Sequence, residues 1–313
     1  MRPVSLLLRP LLLALLVSSG CANLGRNMVE GHFARQMKKA ELAAKRLEID
    51  GQPIAYVEGG DAEGPVVVMV HGFSGDKSNW YAFARYLAED HHLYALDLPP
   101  FGESPELPGR PYDIRTHAAA LASFLAAVGV ERAHLVGNSM GGHTIGLFAL
   151  EHPEQVMSLA LFDAAGVRSP VKSEAMRLGE EGKNPFEMQE LEDVDRLMAL
   201  TFVDPPMMPG PAKRYFFEQR RARDALNARL LEDYLASYVD LQPDLPKISA
   251  PTLVLWGDGD RITDPSAVQV FADGLPNETV VIMEKCGHSP MMERPEETAR
   301  HYRAFLASLA AGD

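Results

Sequence analysis

Short runs of β-branched and aliphatic residues alternate along this chain with stretches of helical period, and that alternation restricts the fold more than any other feature. Val66–Val70 contains no polar residue, which marks a strand buried on both faces. Leu93–Leu96, Ala133–Val136, Leu159–Phe162, Thr252–Trp256 and Thr279–Met283 read as further strands, and Leu47–Ile49 with Ile54–Glu58 as a hairpin around Gly51. Among the helices, Ser78 is expected to cap one running to Asp90, and Asp113 opens an alanine- and leucine-rich one that Gly129 stops. Thr144–Glu151 belongs to a helix that His152-Pro153 ends, and a last helix runs from about Pro295 to Ala310. Strands alternating with helices build a mostly parallel sheet with helices on both faces, the α/β class. From Arg168 to Leu245 the alternation stops, and Pro205, Pro206, Pro209 and Pro211 break up helical text. Residues 168–245 therefore read as a helical cap inserted between the sixth and seventh core strands, with the core in two parts, 47–167 and 246–313.

A chain of 313 residues is long enough for one such domain with its insertion. Its net charge of −13 argues against a nucleic-acid partner, which needs a basic face. Two cysteines, Cys21 and Cys286, cannot supply a disulfide framework. The ten histidines include no HExxH and no pair spaced for zinc, so neither a metal nor a cofactor is implied.

The N-terminus has its own character. Arg2 and Arg9 accompany the apolar run Leu11–Val17, and Ser18-Ser19-Gly20-Cys21 closes it with small residues. Residues 1–20 read as a signal peptide, too short for a membrane span. The ending resembles a bacterial lipobox, with Ser18 where leucine is usual, and the resemblance implies that Cys21 is acylated as the mature N-terminus. Plain cleavage near Gly20 or Ala22 and an uncleaved anchor are the other readings. All three export the protein, either as an envelope lipoprotein held at a membrane or as a secreted or periplasmic protein. Residues 21–46 then form a helical stalk whose Arg26, Arg35, Lys38, Lys39, Lys45 and Arg46 either rest on anionic lipid or are simply solvated.

Gly137-Asn138-Ser139-Met140-Gly141 fits G-x-S-x-G. By chance the pattern arises roughly 0.1 times in a chain of this size, with glycine and serine each near ~7%. Context adds the weight: it follows the strand His134-Leu135-Val136 and opens a helix, the strand–turn–helix setting of a nucleophile elbow. A serine hydroxyl needs a base to take its proton. His288, in Cys286-Gly287-His288-Ser289 after the last strand, lies at the sheet edge where the elbow emerges and follows the serine in chain order. His143, one helical turn past Ser139, reads as packing, His71 as structural, and His91, His92, His117 and His152 as surface or helix-end residues. The acid that orients the base is expected to be Asp260, in Trp256-Gly257-Asp258-Gly259-Asp260, with Asp163 at the end of the preceding strand as the alternative. Asp258 and Asp264 read as turn residues. Two backbone N–H groups, those of Phe73 and Met140, are placed to receive an oxyanion.

Together these residues resemble the α/β-hydrolase superfamily over residues 50–166 and 246–310. His71-Gly72-Phe73-Ser74-Gly75-Asp76-Lys77-Ser78-Asn79-Trp80 with Gly137-Asn138-Ser139-Met140-Gly141-Gly142 is similar to a group of bacterial lipases and esterases. The elbow alone also resembles carbon–carbon hydrolases of ring-fission products. Asp97-Leu98-Pro99-Pro100-Phe101-Gly102 resembles a common loop of the fold but has Pro100 where glycine is usual. Ser139 excludes the members that carry aspartate as nucleophile. The resemblance implies a lipase or carboxylesterase acting on a small-molecule or lipid ester through an acyl-enzyme. A carbon–carbon hydrolase, an acyltransferase or haloperoxidase-like enzyme on the same triad, and a binding module without catalysis are the competing readings. Within the insertion, Met176, Met188, Met198, Met207, Met208, Phe186, Phe202, Phe216 and Phe217 either line an apolar pocket or pack the cap's own core.

Overall fold

A computed structural model describes the backbone of residues 8–311 and the side chains of residues 23–311. Eight strands form one sheet in the order β1-β2-β4-β3-β5-β6-β7-β8: β1 (Leu42–Ile49), β2 (Gln52–Gly60), β3 (Val66–Val70), β4 (His92–Leu96), β5 (Ala133–Asn138), β6 (Val156–Phe162), β7 (Thr252–Gly257) and β8 (Glu278–Met283). β1 and β2 pair antiparallel, as do β2 and β4, and every later pairing is parallel. Successive side chains of a strand face opposite ways, so the apolar run of β3 feeds two cores. Val68 and Val70 join Leu135, Leu161 and Trp256 on one face, and Val67 and Met69 join Val136, Phe162 and Leu255 on the other. This is why the central strands read as continuous apolar text.

The helices are α1 (Leu8–Lys39), α2 (Tyr81–Ala84), α3 (Ile114–Ala127), α4 (Met140–Glu151), α5 (Glu174–Glu180), α6 (Asp193–Thr201), α7 (Gly210–Ala222), α8 (Asp224–Ala236), α9 (Ala267–Gly274), α10 (Pro290–Glu293) and α11 (Pro295–Ala310). Phe124 of α3, Phe148 of α4 and Phe271 of α9 fill the first core, and Phe83 of α2 with Tyr302 and Phe305 of α11 fill the second. Four helices, α5 to α8, lie between β6 and β7 and form the cap, where the insertion was expected.

Two expectations need correction. The helix expected from Ser78 to Asp90 is a short 3-10 turn, Lys77–Trp80, followed by α2. Asp76 caps it, accepting from Ser78 N–H, while Asn79 reaches back to the Asp76 amide, so Ser78 lies inside the turn. The stalk expected over 21–46 is also different: the helix stops at Lys39, and β1 begins at Leu42 instead of Leu47. Lys45 and Arg46 therefore sit on an edge strand, paired with Glu58 and Glu103. The described part of α1 is no spacer. Met37 packs against the second core, Phe33 meets Tyr81 edge-on, and a Cβ on Gly25 would stand 2.1 Å from the Pro211 carbonyl oxygen of α7. Among the described residues no helix is long and apolar enough to cross a membrane. The signal peptide read over 1–20 and the acylated Cys21 lie outside the residues whose side chains are described.

Candidate active site

The parallel strands point their carboxyl ends to one edge, where ligands of such sheets bind. Ser139 follows β5, Asp163 follows β6, Asp260 follows β7 and His288 follows β8, so the topology alone gathers the residues singled out in the sequence. Ser139 sits at φ 56° and ψ −122°, a sparsely populated conformation for a residue with a side chain. Its surroundings hold it there: its N–H donates to Phe162 O, and its carbonyl accepts from His143 N and Ala165 N. The flanking glycines leave no room for a side chain. A Cβ on Gly137 would lie 2.5 Å from the Gly141 carbonyl carbon, and one on Gly141 would lie 2.1 Å from Val70 O.

His288 is buried, and its Nδ1 bonds Asp260 Oδ2 at 2.9 Å. Asp260 also accepts from Ile262 N and Thr263 N at Oδ1 and from Thr263 Oγ1 at Oδ2. Four donors thus converge on one carboxylate, and its orientation is set. Asn138 braces the imidazole loop from the elbow strand, with Nδ2 donating to His288 O at 2.9 Å and to Phe162 O at 3.0 Å. Neither Asn138 nor Thr263 was singled out in the sequence. Asn138 occupies the variable second position of the elbow pattern, and its only signal was a polar residue ending a buried strand.

Asp163 is fully buried beside this pair. Its Oδ1 accepts from Gly257 N at 2.9 Å, while Oδ2 has no hydrogen-bond partner among the described residues. Burial, and then the neighbouring charge of Asp260, push its carboxyl well above the ordinary carboxylate range. One oxygen or nitrogen from each of Asp163, Asp260 and His288 falls within a 4.8 Å cluster, close enough in principle to share an ion. The His288 nitrogen facing Asp260 is already hydrogen-bonded, however, and Asp163 favours a proton in place of a charge.

The raised value of Asp163 has a consequence for stability. The unfolded chain releases this proton near ~4, whereas the folded chain releases it at higher pH. Stability is therefore undiminished below the unfolded value and falls as pH rises toward the folded one. Asparagine keeps the acceptor for Gly257 N–H and does not titrate. Asp163→Asn is thus expected to gain stability over the wild type as pH rises, by at most about 1.4 kcal/mol per pH unit. Unfolding midpoints at acidic and mildly alkaline pH measure the gap; a gap independent of pH would mean that Asp163 is ionised in the folded protein.

The other histidines are engaged elsewhere. His71 Nδ1 donates to Gly72 O and its Nε2 accepts from Leu98 N, which fixes the loop after β3. His143 bonds Tyr234 Oη and Val239 O, tying the elbow helix to the cap, and burial pushes its value down to about 4. His117 is buried with Nε2 on Pro99 O, so it is no surface residue. Asp258 and Asp264 accept from Cys286 N and Ser266 N, in keeping with turn roles. Burial pushes the Cys286 thiol up, which leaves it a poor nucleophile.

Phe73 N–H has no acceptor among the described residues, and Met140 N–H opens α4, one of the amides that no carbonyl of the helix can satisfy. The loop carrying Phe73 is tied at its far end, where Lys77 N and Nζ both donate to the buried Asp97.

Ser139 and His288 open on a cavity of about 950 Å³. Of the nine cap residues singled out, Phe186, Met198, Phe202, Met207, Met208 and Phe216 line it. Met188 is buried in the cap's own cluster, against which Phe217 packs together with Phe186, Met198, Met208 and Phe216 of the lining, while Met176 and Met207 are exposed. An unexpected wall comes from α1, whose Met28, Val29, His32 and Phe33 line the same cavity.

Residues 65–295 match the family described as the alpha/beta hydrolase fold. Lipase 1 of Psychrobacter immobilis is 33% identical over 299 residues, spanning 93% of this chain and 94% of that protein. A monoacylglycerol lipase of Xenopus laevis is 31% identical over 264 residues, 80% of this chain and 77% of its own length. Among solved structures, that of a membrane phospholipase A is similar at a TM-score of 0.90 and 46% identity, covering 97% of this chain and 98% of that one. With sheet order, elbow and family match in agreement, this chain belongs to the α/β-hydrolase fold family.

Proposed function

We propose that this protein is a serine hydrolase that cleaves carboxylic esters of lipids with apolar acyl chains, through an acyl-enzyme on Ser139. The observation that carries the reading is the shared cavity: Ser139 and His288 face a space of about 950 Å³ walled by methionine and phenylalanine side chains. In this reading His288 takes the Ser139 proton as the hydroxyl attacks the ester carbonyl. Asp260 holds the ring through Nδ1 and stabilises the imidazolium that forms. The Phe73 and Met140 amides receive the oxyanion, the alcohol leaves with the proton from His288, and water activated by the same base releases the acid. The lipases similar to this chain support ester chemistry.

The apolar walls give a direct test. Octanoate and longer aryl esters are expected to exceed acetate in kcat/KM, since each methylene that the cavity accepts contributes about 0.8 kcal/mol. A steady decline from acetate upward would mean that the cap side chains pack one another and hold no acyl chain. A ring-fission dienoate cleaved in preference to all of these esters would favour carbon–carbon hydrolysis.

We further propose an envelope address through acylated Cys21. Stable anchoring takes more than one acyl chain, and α1 leads from Cys21 directly to the cavity wall. Cys21→Ser is expected to move the protein into the soluble fraction with its ester hydrolysis intact. Mass spectrometry of the mature N-terminus checks it, and an unmodified Cys21, or a terminus beyond it, would remove the anchor.

A further inference from the structure

A cationic side chain stands in the wall of the reaction cavity, and among the described residues no carboxylate pairs with it. Arg220 of α7 lines the cavity together with Ser139. Its Nη2 donates to Ser74 Oγ at 2.8 Å and its Nη1 reaches Ser74 O at 3.4 Å, while Nε is buried with no hydrogen-bond partner among the described residues. A guanidinium carries five N–H donors, and two contacts to one serine leave most of them unused. Among the described residues no carboxylate lies within 4.0 Å of it. Asp76 and Asp224 are the carboxylates whose fields it feels. Burial lowers its value to about 10, which leaves it charged at neutral pH.

Bracing of Ser74 does not account for this arrangement. Asn227 Nδ2 donates to the same Ser74 Oγ at 3.2 Å, and Gly75 N donates to Gly72 O to close the turn. The other charged residues of the cavity are Arg35, Asp204 and Glu293. Glu293 is already committed, accepting from Val203 N, Asp204 N and Gly287 N. Burial, with Arg35 and Lys39 nearby, pushes His32 down, so its ring is neutral. The guanidinium carbon lies 5.4 Å from the centroid of the Phe216 ring, a cation–π contact that uses none of its N–H donors. A half-buried cation short of acceptors is costly, and its planar fork matches the paired oxygens of a phosphate or carboxylate.

We propose that Arg220 forms an anion subsite within the catalytic cavity, which binds a phosphate or carboxylate group of the molecule lying over Ser139. The inference deepens the ester-hydrolase reading and rests on it. Two sources offer this chemistry: the phosphodiester of a phospholipid substrate, and the carboxylate of the fatty acid released. The full-length protein and its Arg220→Gln and Arg220→Lys variants are assayed on dioctanoyl phosphatidylglycerol and on uncharged dioctanoylglycerol, with octanoate as inhibitor. For a substrate phosphate, Arg220→Gln loses on the order of tenfold to a hundredfold more kcat/KM on the phospholipid than on dioctanoylglycerol. For a product carboxylate, inhibition by octanoate weakens by a similar factor. Arg220→Lys keeps the charge without the fork and shows a smaller change in the same direction, so it reads the subsite even if the glutamine variant does not fold. Equal losses on both esters with unchanged octanoate inhibition would overturn the subsite and leave Arg220 as a brace for Ser74. A wild type that hydrolyses neither lipid contradicts the ester reading instead. Calorimetry of dioctanoyl phosphatidylglycerol and of octanoate with Ser139→Ala, and with Ser139→Ala carrying Arg220→Gln, then reads the subsite without turnover. Equal affinities of the two proteins for both ligands would refute it.

Discussion

Asp260→Asn is expected to lower kcat by ~10²–10⁴-fold, while Asp163→Asn stays within about threefold of the wild type. Both carboxyls are buried, and both end strands that face Ser139, so position along the chain does not separate them. Their bonding does. Asp260 Oδ2 holds His288 Nδ1 at 2.9 Å and accepts from Thr263 Oγ1 at 2.6 Å. Among the described residues Asp163 accepts from Gly257 N alone, and burial raises its carboxyl above the ordinary range. An amide at position 260 presents either an N–H to the His288 N–H or a weaker uncharged acceptor, and in both cases the imidazolium loses its partner. That charge forms only during reaction, so the loss falls on kcat more than on KM. An amide at 163 keeps an acceptor for Gly257 N and leaves the His288–Asp260 bond untouched. Steady-state kinetics of the two variants decide, and a worse lesion at Asp163 would put the catalytic carboxylate on β6.

Ser139→Ala is expected to remove ester hydrolysis by at least about 10⁴-fold, more than 5 kcal/mol of barrier, with the unfolding midpoint near that of the wild type. Alanine keeps a Cβ where the elbow already accommodates one, and the backbone bonds of residue 139 to Phe162, His143 and Ala165 need no side chain. Catalysis goes and the turn remains. Activity within about tenfold of wild type, worth only ~1.4 kcal/mol, would exclude this serine as nucleophile.

Much of the molecule was legible from local pattern. Val66–Val70 is a central strand because both of its faces are buried, and a five-residue apolar run has few other uses. The elbow announced itself through Gly137 and Gly141, where an added Cβ would stand within 2.5 Å of neighbouring backbone. Strand ends in a parallel sheet converge by topology, so Ser139, Asp260 and His288 could be brought together without knowing any distance. What stayed hidden depends on partners remote in sequence. Residues 21–46 read as a basic helical stalk, resting on anionic lipid or solvated, because Met28, Phe33 and Met37 are thinly spaced among charges. Phe33 and Met37 are half-buried against Tyr81 and the second core, Gly25 abuts α7, and Met28 lines the cavity. Arg220 sits in a run of polar and charged residues, Glu218-Gln219-Arg220-Arg221, indistinguishable from a solvated face until the cap is folded over Ser74. The helix start at Ser78 failed for a local reason: Asp76, two residues earlier, is the stronger acceptor and captured the turn.

Labelling of the full-length protein with a fluorophosphonate, followed by peptide mass spectrometry, tests the central assignment most directly. A nucleophilic Ser139 activated by His288 predicts one phosphonyl adduct, on the peptide containing Gly137-Asn138-Ser139-Met140-Gly141, lost in His288→Ala and competed by an octanoate ester. An adduct on another residue, or an unlabelled Ser139 in protein that still hydrolyses esters, would contradict it.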